Sequence, residues 1–192
     1  MNSILAQLPV EARWHAQVAP VPVVIALVRR YHDSIEECLL INRAAGPYTG
    51  QWALVGGKWD FGEGLAEAIV REVQEETGLL TQFVALRGVL SERVVPQEPG
   101  AMAAHFLLLP CDLLVVEGIA TEQTEGAVGW FNAAEIEILH EGGAIIPSDY
   151  AMIAAFTGAE ASAPIIEIEM EATQAGTVRL TRFEPHENNP EC

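Results

Sequence analysis

Apolar positions along this chain recur with two different periods, and the switch between them marks its elements. From Val21 to Arg30 the run VPVVIALVRR is apolar and β-branched almost throughout, which predicts a strand buried on both faces. Glu37 to Asn42 is expected to pair with it across the polar turn Tyr31 to Glu36, and Cys38 within it reads as a core residue. The turn-rich AAGPYTG then leads into a short strand, WALVGG. Here the period changes. Leu65, Ile69 and Val73 stand at i, i+4 and i+8, predicting a helix from near Glu63 to a stop at Gly78. Leu80 to Ser91 and Ala103 to Leu109 read as two further strands joined by the loop VVPQEPGA, and Ala127 to Phe131 as a short one after a loop at Glu122 to Gly126. Asn132 with Glu135 marks one helix start, and Pro147 or Ser148 another that stops near Gly158. Strands alternating with helices in this way predict an α/β protein, a mixed sheet with helices on its faces.

The two ends read differently. Residues 1–19 form an N-terminal extension with a short apolar pattern around Trp14, and residues 20–158 hold the α/β domain. In residues 159–192, Ile166, Ile168 and Met170 alternate with Glu167, Glu169 and Glu171, and TVRLTRF follows after the turn TQAG. That pattern predicts a C-terminal β-hairpin, with Arg179 and Arg182 available to pair with the glutamates, and a tail over 185–192. An added sheet edge is the plain reading of the hairpin. A dimer contact or a lid is the competing one.

Composition narrows the partners. The 192 residues carry a formal net charge of -17 with only ten basic residues, of which Lys58 is the one lysine. Nucleic acid and anionic membrane surfaces need a basic face, so neither is an expected partner. The longest apolar stretch, Val18 to Val28, contains Pro20 and Pro22 and is too short to span a bilayer. No basic leader with an apolar run opens the chain, and Cys38, Cys111 and Cys192 form no disulfide or zinc pattern. A cytoplasmic protein is expected. An acidic chain still binds a small polyphosphate where metal ions reverse the local charge.

Candidate chemistry concentrates on the predicted helix. Glu72, Glu75 and Glu76 fall at i, i+3 and i+4, within one turn of one face. Carboxylates so close repel one another unless a cation joins them, and oxygen ligands suit hard ions such as Mg2+ or Mn2+. Gly56-Gly57 ahead of the helix lets a loop approach a ligand closely. Arg43 is a candidate phosphate contact, Lys58 another, and Trp52, Trp59, Phe61 and Phe106 are candidate stacking surfaces that read more readily as core. His105 reads as a residue satisfied within its strand.

Gly57, Glu63, Arg71-Glu72 and Glu75-Glu76-Thr77-Gly78 together spell G-x5-E-x7-R-E-U-x-E-E-x-G-U, with U apolar. This resembles the Nudix box, and the chain is identified as a member of the Nudix hydrolase superfamily over about residues 20–158. The resemblance implies an α/β/α sandwich and assigns metal binding to Glu72, Glu75 and Glu76. It gives Arg71 the orienting of a box carboxylate, and Glu63 a structural role between loop and helix. It draws the general base either from the box or from a later loop, where Glu122 and Glu125 are available. The implied reaction is hydrolysis of the pyrophosphate bond of a nucleoside diphosphate linked to another moiety, with ADP-ribose or a nucleotide sugar ahead. A nucleoside triphosphate pyrophosphohydrolase and a non-catalytic nucleotide-sensing module are the competing readings. Because family members often pair, a homodimer is also implied. Val55 replaces the proline many members carry before the paired glycines, and Pro96 only approximates a secondary signature associated with ADP-ribose hydrolysis.

Overall fold

A strand rich in β-branched residues on both faces needs cover above and below, and Val21–His32 (β1) has it. Val24, Ala26 and Val28 point to one core, Ile25 and Leu27 to the other. The computed structural model describes residue 17, residues 19–94, 104–158 and 163, and the backbone of 166–172 and 178–185. The expectations for the N-terminal extension with Trp14, for Pro96 and for residues 186–192 lie outside the described residues.

β1 turns at Asp33 and Ser34 into Ile35–Arg43 (β2). Both turn residues have positive φ, 49° and 65°, the conformation a two-residue hairpin requires. Trp52–Lys58 (β3) leads to the helix Leu65–Thr77 (α1), then come Leu80–Leu86 (β4), Leu90–Val94 (β5), Ala104–Glu117 (β6) and Gly126–Asn132 (β7). Two helices follow, Ala133–Glu141 (α2) and Pro147–Phe156 (α3). The strands form one mixed sheet in the order β4-β6-β1-β3-β2-β7, with β5 also paired to β6 and β1 parallel to β6. α1 covers one face through Leu65, Ala68, Ile69 and Val73. On the other, Ile136 of α2 and Met152 of α3 pack against Ile25, Leu27, Cys38 and Leu40. This is the expected α/β/α sandwich.

The sheet departs from the sequence reading at two places. The single strand expected over Leu80 to Ser91 is two, β4 and β5, both antiparallel to β6. β6 is correspondingly longer than expected and runs through Pro110. The proline sits where β6 changes neighbour, between Leu108, opposite β5, and Cys111, opposite β4. There its carbonyl accepts from Arg87 N at 2.8 Å, and the N–H it lacks falls in the gap between partners.

The sheet also forks. β3 pairs with β1 over Gly56 and Gly57 and with β2 over Trp52 to Leu54, while the far ends of β1 and β2 pair directly. The segment before α3 fills the fork: Trp52 N donates to Ala144 O at 2.8 Å, Ile146 N to Trp52 O at 2.9 Å, and Leu54 N to Asp149 Oδ2 at 2.8 Å. β8 (Ile166–Ala172) and β9 (Val178–Pro185) form a separate two-stranded antiparallel sheet, whose register sets Glu169 opposite Arg182 and Glu171 opposite Arg179.

Candidate active site

The box helix is fastened to the loop before it by Arg71. Its Nε and Nη2 donate to both Glu63 oxygens at 2.7 and 2.9 Å, a two-point pairing that guanidinium geometry favours. Its Nη1 reaches Glu72 Oε1 at 2.8 Å and Glu75 Oε2 at 3.2 Å, and Nη2 reaches the Lys58 carbonyl at 3.4 Å. One guanidinium thus ties loop, helix and a cleft carboxylate together. The hydrogen bond from Arg71 holds the Glu63 carboxyl below the usual carboxylate range. Trp59 closes the same loop, its indole N–H donating to Glu63 O at 2.9 Å. Gly78, with φ 74°, ends α1 in the left-handed conformation the sequence suggested.

The three box glutamates do not share one environment. Positions i and i+4 lie within 40° of each other on a helix, whereas i+3 and i+4 are 100° apart, as follows from 3.6 residues per turn. Glu72 and Glu76 accordingly line one cavity, while Glu75 is 62% exposed on Arg71 and lies outside that lining. Glu76 is only 4% exposed and accepts from Gly56 N at 3.1 Å. Burial first, then its hydrogen bond and charge contact with Glu125, push its carboxyl up to about 9. Burial likewise raises Glu72, against the pull of Arg71. Gly57 gives Glu72 its room, since a Cβ there would lie 2.4 Å from Oε2.

The cavity holds about 620 Å³ and is lined, beside these carboxylates, by residues of β1, β2, β3, β5, β6 and the start of α3. Of the two later glutamates, Glu125 lines it and Glu122 is exposed outside it. Arg43, Gly56, Gly57 and Lys58 line it, with the Arg43 Nε buried and lacking a protein partner. Phe106 lines it too. The other aromatic candidates do not: Trp52 packs edge-on against Phe131 at 4.6 Å, in the core cluster that holds Ile136 and Met152. Trp59 packs on the core and Phe61 is fully exposed. His105 Nε2 is 2.8 Å from Ser91 Oγ, satisfied within its strand pair. Cys38 and Cys111 are buried, and burial pushes both thiols up to about 12.

Sequence reasoning missed Asp149, Glu92 and Tyr48, which line the same cavity. Asp149 is 7% exposed, and burial pushes its carboxyl up to about 7. Its only sequence signal was an acidic residue in the first turn of a helix, which reads as an ordinary cap.

A divalent cation fits the carboxylate end. The charge of Glu125 favours the protonated form of both Glu72 and Glu76, and that of Glu72 does the same to Glu76, a repulsion that a cation among them would relieve. Among the described residues no three acidic, histidine or cysteine side chains enclose a metal unaided. A cation here would complete its shell with water and phosphate oxygens, the usual habit of Mg2+.

The NUDIX domain family model matches residues 19–151, and the chain belongs to that family. It is similar to an ADP-ribose pyrophosphatase of Methanocaldococcus jannaschii, 49% identical over 53 residues covering 28% of this chain and 31% of the relative. It is also similar to the mouse 8-oxo-dGDP phosphatase NUDT18, 37% identical over 87 residues covering 45% of this chain and 24% of the relative. The chain therefore spans less than a third of the length of either protein. A Nudix hydrolase structure from Nitrosomonas europaea shares the fold, with a TM-score of 0.59 at 20% identity over 72% of this chain and 89% of that one. Members of the family generally need a divalent metal.

Proposed function

We propose that the protein is a metal-dependent pyrophosphohydrolase that cleaves a nucleoside diphosphate linked to another moiety, with ADP-ribose or a nucleotide sugar favoured and Mg2+, or Mn2+ in its place, as the metal. The carrying observation is the convergence of Glu72, Glu76 and Glu125 on one cavity that also holds Arg43 and Lys58. The resemblance over 53 residues to an ADP-ribose pyrophosphatase supports the substrate class.

Glu72 and Glu76, with Glu75 at the rim, would hold the metal, which supplies charge neutralisation on the phosphate oxygens and a positioned water. Arg71 holds Glu72 in place, and Gly56 N fixes one oxygen of Glu76. Arg43 and Lys58 would pair with non-bridging phosphate oxygens, the guanidinium by two-point geometry. Glu125, hydrogen-bonded to Glu76, takes the proton from the attacking water. The water oxygen bonds to one phosphorus, and the anhydride oxygen departs with the other phosphate. Glu125 rather than Glu122 fills this role because it lines the cavity. A reducing cytoplasm, where Cys38 and Cys111 stay thiols, and pairing of two chains belong to the same reading. Among the described residues no helix is long and apolar enough to cross a membrane.

Release of nucleoside monophosphate from ADP-ribose, nucleotide sugars, dinucleoside polyphosphates and nucleoside triphosphates tests the reading, with Mg2+, Mn2+ or EDTA. Cleavage of a sugar-linked diphosphate that EDTA abolishes is the expected result. Turnover confined to triphosphates would move the substrate class, and binding without turnover would make the chain a sensing module.

A further inference from the structure

The last two strands of the chain build an apolar face. β8 and β9 pair with each other and with no strand of the larger sheet. Their register sets Ile166 opposite Pro185, Ile168 opposite Phe183, Met170 opposite Leu180 and Ala172 opposite Val178, and directly opposed residues share a face. A bulge makes the face continuous. Thr181 is the extra residue between the pairs Glu169–Arg182 and Met170–Leu180, and it brings Leu180 and Phe183, three apart in sequence, to the same side. Glu167, Glu169, Glu171, Arg179, Arg182 and Glu184 take the other. A two-stranded hairpin alone is marginal in water, so an apolar face of this kind needs a surface to lie on.

The larger sheet offers one. Leu113 and Val115 pack on the α1 side, which turns Leu114 and Val116 to the opposite face, and Tyr31 alternates with the buried Val28 in the same sense. β1 and β6 run parallel with Val28 beside Leu113, so three residues further on Tyr31 lies level with Val116. α2 and α3 cover this face over Leu27 and Cys38 but not out to here: Tyr31, Leu114 and Val116 are 76, 43 and 64% exposed. Between the two regions stands Arg29, paired with Asp112 at 2.8 Å, and behind it an apolar groove of about 340 Å³ runs along Leu27, Ile136, Ile153 and Phe156. Within a single chain this surface stays open.

We infer that the apolar face of the β8–β9 hairpin docks on the Tyr31, Leu114 and Val116 surface of a second copy of this chain, which returns its own hairpin in exchange. A chain that carries both halves of a contact is complementary to itself, and a two-fold axis satisfies each half twice. Ala163 N donates to Leu86 O at 2.8 Å, so the hairpin departs from β4, at the outer edge of the sheet, where a neighbour can receive it. Two such contacts bury on the order of 1,200 to 2,000 Å², the size of a stable interface. The charged face of the hairpin stays in water. The inference gives the proposed pairing of two chains its surface and does not depend on the chemistry in the cleft.

Sedimentation of the full chain tests it. Wild type is expected to be a dimer at micromolar concentration, and Val116→Glu and Ile168→Glu, one on each side of the contact, should each raise the dissociation constant at least about 30-fold. Val116→Glu changes an exposed position, so its urea midpoint as a monomer should match that of diluted wild type. A monomeric wild type would overturn both the pairing and its surface; a dimer that survives Val116→Glu would overturn the surface alone. Because Ile168→Glu can simply unfold the hairpin, a second measurement keeps the two halves in contact. In a Cys192→Ser background, where Cys38 and Cys111 are buried, a chain with Val116→Cys is mixed with one carrying Ile168→Cys and oxidised. A disulfide joining the two different chains is the expected product. No such product, or a disulfide closed within one chain when both substitutions are combined, would overturn the inference and return the hairpin to its own sheet.

Discussion

Two adjacent glycines separate the fold from the chemistry. At Gly57 an added Cβ would stand 2.4 Å from Glu72 Oε2 and within 2.6 Å of Oε1, touching only the end of a side chain. To reach ordinary contact the carboxylate must retreat by about 1 Å, and a misplacement of that size costs on the order of 100-fold in rate. The fold should barely register it, because Gly57 has no positive φ and the displaced group can rotate. Gly56 is the control. Its φ is 155°, and a Cβ there would meet Val24 O at 2.2 Å, a backbone atom in the adjoining strand. Relief requires parting β1 from β3, on the order of 3 kcal/mol or more. Gly57→Ala is thus expected to lower kcat/KM about 100-fold while shifting urea stability by less than about 1 kcal/mol. Gly56→Ala should lose stability first. Pyrophosphatase kinetics and denaturation on the same preparations decide it. A fully active Gly57→Ala, or one as unstable as Gly56→Ala, would refute the assignment of Glu72 to the reacting centre.

Other perturbations probe other parts. Glu125→Gln should lower kcat by about 10- to 1000-fold and Glu122→Gln by less than about 2-fold, measured at saturating Mg2+; comparable losses would remove Glu125 as the base. Arg71→Lys keeps the charge but cannot grip Glu63 at two points while reaching Glu72, so kcat/KM should fall at least about 10-fold, and retention of full activity would contradict the clamp. Stability should also respond to pH through Asp149. Its folded carboxyl is pushed up to about 7 from its ordinary value of 3.8, so the folded state holds the proton more tightly. Stability from this group is present below about pH 4 and declines as pH rises toward 7, by up to on the order of 4 kcal/mol. Urea titrations from pH 5 to 8 in EDTA should show a shallower decline for Asp149→Asn than for wild type, and parallel curves would exclude Asp149 as the source. Glu76 shifts in the same direction, so part of the slope remains in the variant.

The elements nearest the box were the most legible in the sequence, and for a physical reason. Leu65, Ile69 and Val73 set the buried face of α1 by period alone, Gly56 and Gly78 are conformational requirements that no other residue meets cheaply, and Gly57 leaves the space Glu72 occupies. Long-range partners were less legible. Nothing local in TGLLTQFVALRGVLSERV shows that β4 must end at Leu86, because the break is set by β6 changing its neighbour at Pro110. The length of β6 was underestimated for the same reason: a proline argues against a central strand unless a gap in the ladder happens to receive it. Glu122 and Glu125, three residues apart in one loop, look alike in sequence. Only the tertiary approach of that loop to Glu76 separates them.

Asp149 is the extreme case, since its environment is made by three distant parts of the chain. The fork between β1 and β3 leaves Leu54 N without a strand partner, the Ala144 to Ile146 bridge brings the start of α3 to that gap, and β5 closes the cavity over it with Glu92. Sequence shows an aspartate in a helix's first turn, where acidic residues are common for reasons of the helix dipole alone. The fold turns that same residue inward. A carboxylate that mends the sheet with one oxygen is held in the cavity wall by the backbone itself, so its place there is set by the fold. Substitution with a shorter acceptor, Asp149→Ser, therefore should weaken the bond to Leu54 N and lower stability in urea by about 1 to 3 kcal/mol. An Asp149→Ser variant as stable as wild type would remove Asp149 from the mending of the sheet.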